Sequence, residues 1–471
     1  VGIGPNKPSG LWLFSSGRLP AYFRGLLTSY GSMGVVFLFT AITVPLGISS
    51  MGLAGWGVWV FCQQASATIC LFESFTQSAY VRLLIQVKDD TSSESYKKMV
   101  WMGRWSFWAQ GGLLLVAHAA FAAVLSNLFP NFSGTDAWMT ICLMGLASLI
   151  NQAGKINGQL LYAHQHQDRT SLAATAGLLV NLLVVVVCLP RHPSAQTMAW
   201  AFLLGSLAGQ ILYWGFARLA KCLPTYPAAP SIQLSDFQPL WFWGKRFFLF
   251  SLLNNLSTTL PTLLAARSLP LEIVGVWGVL QKIANMVSQA VLKIPQTAVP
   301  ALMEMHARGE EARFHKRSQQ ILWTQNALAG LILGFFAFGG DFLLKVWLGK
   351  EMPLGVWILP LFTLSLLADF DQRSRFDLET VRLMMRRPTL VAFLKFILIL
   401  ISIPPLSYFY GLTGMILALA IIFGLVLLPL SLLRIPSRSY SLPVVCTLAG
   451  VGAYLLAAGA GWFVIQLSLK F

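Results

Sequence analysis

Apolar residues run along this chain in long blocks, without the alternation of a half-buried strand or the polar face of a water-soluble helix. The blocks fall near 29–49, 53–80, 105–128, 136–161, 171–190 and 197–217. After a polar stretch they resume near 247–266, 271–294, 320–340, 354–373, 389–405, 412–433 and 441–468. About 20 apolar residues carry a helix across hydrocarbon. In lipid each backbone polar group must find its partner inside the element, and for blocks of this length that means helices. The pattern predicts an all-α polytopic membrane protein with thirteen spans, or twelve to fourteen depending on how the long, glycine-rich last block is divided. The segments between blocks are short, so no soluble domain is expected there.

Composition closes off the alternatives. Only 11% of the 471 residues are charged and 56% are hydrophobic, whereas a soluble domain carries about 25% charged residues. Soluble and disordered classes are both excluded. The net charge of +16 comes from basic residues scattered between the apolar blocks, which points to membrane orientation and not to nucleic acid. With the N-terminus in the cytoplasm, 24 lysines and arginines fall in the cytoplasmic segments. Five fall outside: Arg191, Arg267, Lys345, Lys350 and Lys470. Short cytoplasmic loops carry such an excess, so an N-in, multi-pass topology is expected. Residues 1–28, interrupted by Gly and Pro, read as a cytoplasmic or interfacial segment and not as a secretory signal. The six cysteines include no C-x-x-C and sit mostly in apolar runs, so they read as small buried hydrophobes.

The chain also repeats itself. A shift of 218 residues lays Gly57-Val58-Trp59 on Gly275-Val276-Trp277, Gln63-Gln64 on Gln281-Lys282, and Lys155 on Arg373. One further residue aligns Gln77-Ser78-Ala79 with Gln296-Thr297-Ala298. The unit holds six helices, and an even number returns the chain to its starting side. The halves are thus parallel repeats about an axis along the membrane normal, an architecture that places substrate between the halves near the midplane. This divides the chain into an N-terminal segment (1–28), a first six-helix bundle (29–217), a cytoplasmic linker (218–246), a second six-helix bundle (247–433) and an additional C-terminal helix (434–471).

Several of these residues resemble a known family. Gly275-Val276-Trp277-Gly278-Val279-Leu280, followed by Pro295-Gln296-Thr297-Ala298-Val299-Pro300, is similar to the eighth-helix region of bacterial polysaccharide flippases. So are Ala79-Tyr80-Val81-Arg82, Val346-Trp347-Leu348-Gly349 and Tyr410-Gly411-Leu412-Thr413-Gly414. The family belongs to the multidrug/oligosaccharidyl-lipid/polysaccharide exporter superfamily, which includes the O-antigen repeat-unit flippases. The resemblance spans about residues 25–440. It implies a helical bundle around a central cavity that moves a lipid-linked oligosaccharide across the bacterial inner membrane for surface polysaccharide synthesis. It also implies an undecaprenyl-pyrophosphate carrier, with a glycan polymerase and glycosyltransferases as partners.

Charges at the centre of a span are costly, roughly 2.5–3.5 kcal/mol each on insertion scales, so each one inside an apolar block needs a reason. Lys282 lies eleven residues into its block, or ~16 Å at helical rise, at mid-bilayer. Its repeat partner Gln64 sits at the same depth. Lys155 falls in the polar run Asn151 to Gln159, which lines a cavity or ties helices together through amides. Glu73, in the cytoplasmic third of its span, pairs with a lysine or carries a coupling proton, and Lys293 lies near the matching depth in the second half. Asp369 and Asp371, two residues apart, point about 200° apart on a helix and are expected to pair with Arg373 and Arg375 at the interface. Lys395 is close enough to the inner end to snorkel. Pro45, Pro261, Pro295, Pro300 and Pro360 mark expected kinks.

The candidate substrate-binding residues are therefore Lys282, Lys155 and Lys293 for a diphosphate, and Gln64, Gln281 and Asn151 for sugar hydroxyls, with Glu73 as the coupling residue. No nucleotide-binding glycine loop occurs. His164 and His166 read as an interfacial loop and not as metal ligands. No enzyme, cofactor or metal is expected, and membrane lipid is a further expected partner. Two alternatives stay open: a cation-coupled multidrug exporter of the same superfamily, and a membrane-embedded glycan polymerase or ligase.

Overall fold

The computed structural model describes residues 18–164, 166–224, 233–381, 386–432 and 444–468, and among these there is no strand. Parts of three expected segments lie outside the described residues: 1–17 of the N-terminus, 225–232 of the linker, and 433–443 with 469–471 around the last helix.

The first helical stretch, Arg18–Ile69, breaks at Gly52 (φ 72, ψ 175), giving α1 (18–51) and α2 (53–87). Within α2 the helix tightens to a 3₁₀ turn at Cys70–Glu73 before continuing as Ser74–Val87. Next come α3 (Glu94–Leu128), α4 (Ala137–Ala163), α5 (Gln167–Cys188) and α6 (Ala195–Leu219). The second half holds α7 (Gln238–Ser268), α8 (Leu271–Ala307), α9 (Glu311–Leu348) and α10 (Ile358–Val381). A second break at Gly411 (φ 60, ψ −139) separates α11 (386–410) from α12 (412–432), and α13 is Val444–Ser468. Both breaks fall at glycine because these backbone angles lie in a region essentially closed to residues with a Cβ. Pro45 and Pro261, expected to kink their helices, lie inside α1 and α7 without such a break.

Several helices outrun the apolar blocks on the side of the basic loops, called here the basic side. α3 starts at Glu94, where the Ser93 hydroxyl accepts from the Tyr96 N–H (3.2 Å), a capping interaction that follows Ser-Glu in the sequence. Loops on this side are tied together. The Tyr96 hydroxyl donates to the Cys222 carbonyl (2.6 Å) and contacts His164 Nε2 (3.0 Å), while Lys98 pairs with Asp236 (2.8 Å). Burial holds the His164 imidazole below its ordinary pKa.

The apolar cores show how the halves are joined. One cluster draws buried residues from both halves: Val44, Trp56, Val60, Phe61 and Ile141 from the first, and Val274, Val276, Trp277, Leu280 and Phe362 from the second. Most of it lies toward the side opposite the basic loops, the far side. Toward the basic side the first half has its own cluster around Tyr80, Tyr96, Phe107 and Leu160, and the second half has separate ones. The two halves therefore share one apolar cluster at one end; toward the other, each has clusters of its own among the described residues, and α2 runs in contact with α7.

At the shared end, the repeat itself forms the contact. A Cβ on Gly57 would collide with the Leu271 carbonyl oxygen, and one on Gly275 would collide with the Leu53 carbonyl oxygen. Leu53 and Leu271 are related by the same 218-residue shift as the two glycines, so α2 and α8 cross on the pseudo-twofold axis, backbone against backbone. Two loop contacts brace the crossing. Asn131 Nδ2 donates to the Leu269 carbonyl (3.3 Å), and Lys350 Nζ donates to the Ile48 carbonyl (3.5 Å). α13 is not a loose appendage: Gly330 and Gly334 of α9 bring it so close that a Cβ on either would strike the α13 backbone at Gly450 or Tyr454.

Gly57→Ala or Gly275→Ala should force α2 and α8 apart and lower stability by about 1–3 kcal/mol, the usual range for overpacking. Gly112→Ala, where no atom lies within 4 Å of the new Cβ, should leave it unchanged. Thermal unfolding of the detergent-solubilised protein checks this, and equal melting of Gly57→Ala and Gly112→Ala would refute the close crossing.

Candidate functional site

Two turns past the crossing on the basic side, the repeat-related polar pairs meet. Lys282 Nζ donates to Gln63 Oε1 (2.6 Å), and Gln64 Nε2 donates to Gln281 Oε1 (3.3 Å). Since 63 corresponds to 281 and 64 to 282, each of these contacts is the pseudo-symmetry mate of the other. Gln64, Gln281 and Lys282, three of the expected site residues, are thus brought together between the halves. Gln63 is the partner that the site reading missed, although the repeat alignment already contained it. The four side chains are half-buried, and among the described residues Lys282 has only this neutral amide as a polar partner. A cation at this depth without a carboxylate is incompletely compensated.

From Lys282 a polar stripe descends α8 toward the basic side. Asn285 and Gln289 are exposed and Lys293 is half-buried. Spacings of three, four and four residues keep all four on one helix face. Lys293 has no hydrogen bond or ion pair among the described residues. Such a face is too polar for lipid, and it lies beyond the apolar cluster that the halves share among the described residues. Asn285 and Gln289 went unnoticed in the sequence because single amides in an apolar block carry no signal until the helix face is known.

The first half gathers its polar groups differently. Lys155 Nζ on α4 pairs with Glu73 Oε2 on α2 (2.8 Å) and also donates to Gln152 Oε1 (3.4 Å), and Gln152 donates to Gln110 on α3 (2.6 Å). Both members of the ion pair keep about a fifth of their side-chain surface exposed (21% each). Asn151 uses both ends of its amide on α6, donating to Ser206 Oγ (3.0 Å) and accepting from Gln210 Nε2 (3.3 Å). Nearby, an intramembrane histidine escaped notice: His118 is fully buried and contacts Ser66.

In the second half the charges are satisfied internally. Asp369 pairs with Arg373 (2.7 Å), and Asp371 with Arg375 (2.8 Å), as the i,i+4 spacing suggests. Their depth corrects the expectation of an interfacial position. Arg375, Asp369 and Asp371 are buried within α10, and Thr447 of α13 and Asn326 of α9 complete the Asp371 cluster. Lys395 also departs from expectation. It does not snorkel but turns inward, pairing with Asp369 (3.0 Å) and lying over the Phe423 ring (4.5 Å). A buried carboxylate within reach outweighs the entropic advantage of a solvated ammonium. Among the described residues no cluster of three or more His, Cys, Asp or Glu side chains suits a metal. The His164 imidazole contacts Tyr96.

Because the Glu73–Lys155 pair is partly exposed, Lys155→Met should destabilise by about 1–2 kcal/mol, below the 3–5 kcal/mol of a fully buried pair. Adding Glu73→Gln should recover most of the loss, since the residual uncompensated charge disappears. A double-mutant cycle on thermal unfolding reads this, and strict additivity would mean the two side chains do not interact.

Comparison with known proteins places this arrangement. A family model described as polysaccharide biosynthesis protein matches residues 57–351. No curated protein matches the chain in sequence. Among solved structures, the lipid II flippase MurJ in an inward closed conformation superposes with a TM-score of 0.68 at 12% identity, over 94% of this chain and 99% of that one. An inward-facing multidrug resistance MATE family transporter of the MOP superfamily gives 0.64 at 10% identity, over 93% and 94%. A MOP superfamily transporter from Pyrococcus furiosus gives 0.62 at 11% identity, over 99% of each chain. At these identities the likeness is one of fold: two six-helix repeats in a multi-pass membrane protein.

Proposed function

Since the chain belongs to the polysaccharide biosynthesis protein family, we propose that it is a flippase for an undecaprenyl-pyrophosphate-linked oligosaccharide, acting in the bacterial inner membrane with its basic side in the cytoplasm. One observation carries this reading: Lys282, between the halves, is bound only to a neutral amide among the described residues. An anion is the natural complement of such a site, whereas a cationic drug is repelled by it. That favours the flippase reading over the multidrug exporter. In a cavity of effective dielectric ~20, a phosphate oxygen 4 Å from the ammonium gains about 4 kcal/mol before desolvation. Lys293 and Lys155 extend the cationic path, and Gln64, Gln281, Asn285 and Gln289 offer donors and acceptors to sugar hydroxyls. Asn151, held by α6, supports the wall. The polyprenyl tail stays in lipid while the head occupies the cleft. Rocking of the two halves about the α2–α8 crossing alternates access, and Glu73 links the cycle to a proton or cation. An O-antigen-type repeat unit is the substrate proposed, handed on to a glycan polymerase after glycosyltransferases have built it.

Lys282→Gln should fold normally, because the Gln64–Gln281 contact already shows an amide pair at the symmetric position. It should abolish surface glycan and leave the lipid-linked precursor in the cytoplasmic leaflet, with Lys282→Arg restoring part of the flux. Wild-type export by Lys282→Gln would end the central-cation mechanism.

The orientation has its own check. Ser92→Cys and Arg308→Cys, both at exposed positions on the basic side, should resist an impermeant thiol reagent in intact spheroplasts and react after permeabilisation. Labelling of both from outside would invert the topology.

A further inference from the structure

The proposed coupling at Glu73 does not account for His118. This residue sits ten positions from the far end of α3, ~15 Å deep at helical rise, and is completely buried. Gly145 of α4 makes room for it, since any Cβ there would press on the His118 side chain at 2.7 Å. Its Nδ1 lies 2.7 Å from the Leu114 carbonyl, which can only accept, so Nδ1 carries the hydrogen. Nε2 then accepts from the Ser66 hydroxyl (2.8 Å) when the ring is neutral. Ser66 does not end there. One turn along α2 lies Cys70, whose thiol is in hydrogen-bond contact with Ser148 of α4 (3.3 Å), and one turn further, at the end of the 3₁₀ segment, lies Glu73. Glu73 in turn holds Lys155. Exchangeable side chains spaced about one helical turn apart on α2 thus lead from a buried imidazole to an ion pair that is partly exposed.

The groups around His118 that titrate or carry charge are Cys70 and Glu73 on α2 and Lys155 on α4 among the described residues; α3 contributes the neutral Gln110. While Lys155 neutralises Glu73, nothing favours an imidazolium. Once Lys155 leaves, the carboxylate stands alone one to two turns from Ser66, and an intramembrane carboxylate–histidine chain is a typical proton relay.

We propose that His118 is a proton-carrying residue of the transport cycle, reached through Ser66 and Cys70 and switched by whether Lys155 neutralises Glu73. A proton taken from solvent by Glu73 passes to Cys70 Sγ as the thiol hydrogen moves to Ser66 Oγ and the hydroxyl hydrogen moves to His118 Nε2. Each intermediate group gains one proton and loses one, and the net result is an imidazolium beside a free carboxylate. The link to transport rests on the reading above, in which the anionic head of the substrate draws Lys155 away.

Two measurements test the proposal separately from that reading. The first needs no substrate: ¹⁵N-histidine NMR of the protein in nanodiscs at pH 7, where only six histidines contribute. Lys155→Met should move the His118 resonances from the neutral to the imidazolium position, and Lys155→Met/Glu73→Gln should return them. A neutral His118 in Lys155→Met overturns the proposal. The second follows a fluorescent polyprenyl-diphosphate-linked sugar in proteoliposomes with and without an imposed pH gradient. Wild type should flip it several-fold faster with the gradient. Neither His118→Gln, which keeps an amide for Leu114 or Ser66, nor Ser66→Ala, which breaks the line while sparing the ring, should respond to it. A wild-type gradient response in both variants overturns the role of His118. If the NMR shift is seen and wild type moves no lipid-linked sugar, the proton link stands and the flippase reading fails.

Discussion

The crossing of α2 and α8, with glycine against carbonyl on both sides of the pseudo-twofold axis, is the contact on which the other features depend. A Cβ at Gly57 or Gly275 would enter the opposite backbone, so the helices approach as closely as main chains allow. Apolar side chains gain little by leaving lipid for other apolar side chains, and close packing at small residues is what brings membrane helices together. That packing places the shared core at the far side, while toward the basic side the halves meet where α2 runs beside α7. It also sets the depth at which Gln63, Gln64, Gln281 and Lys282 meet.

Electrostatics then divides the two halves. In the second half, Asp369 with Arg373 and Lys395, and Asp371 with Arg375, form compact clusters sealed by α9, α11 and α13. Charges so enclosed are paired because the interior would otherwise penalise each by several kcal/mol, roughly the desolvation cost of one ion. The first half keeps its ion pair partly exposed, and Lys282 stands between the halves with an amide. The repeat is therefore symmetric in backbone and asymmetric in charge: Lys155 corresponds to Arg373 and Asn151 to Asp369, yet Lys155 finds its carboxylate on a neighbouring helix while Arg373 finds it one turn away.

Much of the fold was legible because it follows from solvent. Lipid demands helices, and their length is set by the bilayer, so the apolar blocks marked the spans. The 218-residue repeat paired Gln64 with Lys282 at one depth, while the α2–α8 crossing and the role of Gln63 came only from the structure. Helix ends were less legible: α3, α8 and α9 extend as polar helices beyond the blocks, where hydropathy is silent. The breaks at Gly52 and Gly411 fall between apolar blocks, as the pattern predicts, whereas the expected kinks at Pro45 and Pro261 do not interrupt their helices. Proline removes one hydrogen bond within a helix, but reversal at Gly52 and Gly411 needs backbone angles that only glycine adopts freely.

The sequence alone determined that this is a helical, duplicated membrane protein with a basic face, because composition, period and charge asymmetry are properties of the chain in its solvent. Tertiary structure decided which charges are free. Lys395, read as snorkelling, is buried on Asp369; Lys155 is held by Glu73; Lys282 is left with Gln63; and His118 joins a line ending at Glu73. Whether an ionisable group is neutralised depends on a partner within a few ångströms. Helices far apart in sequence supply that partner, so no local pattern can announce it.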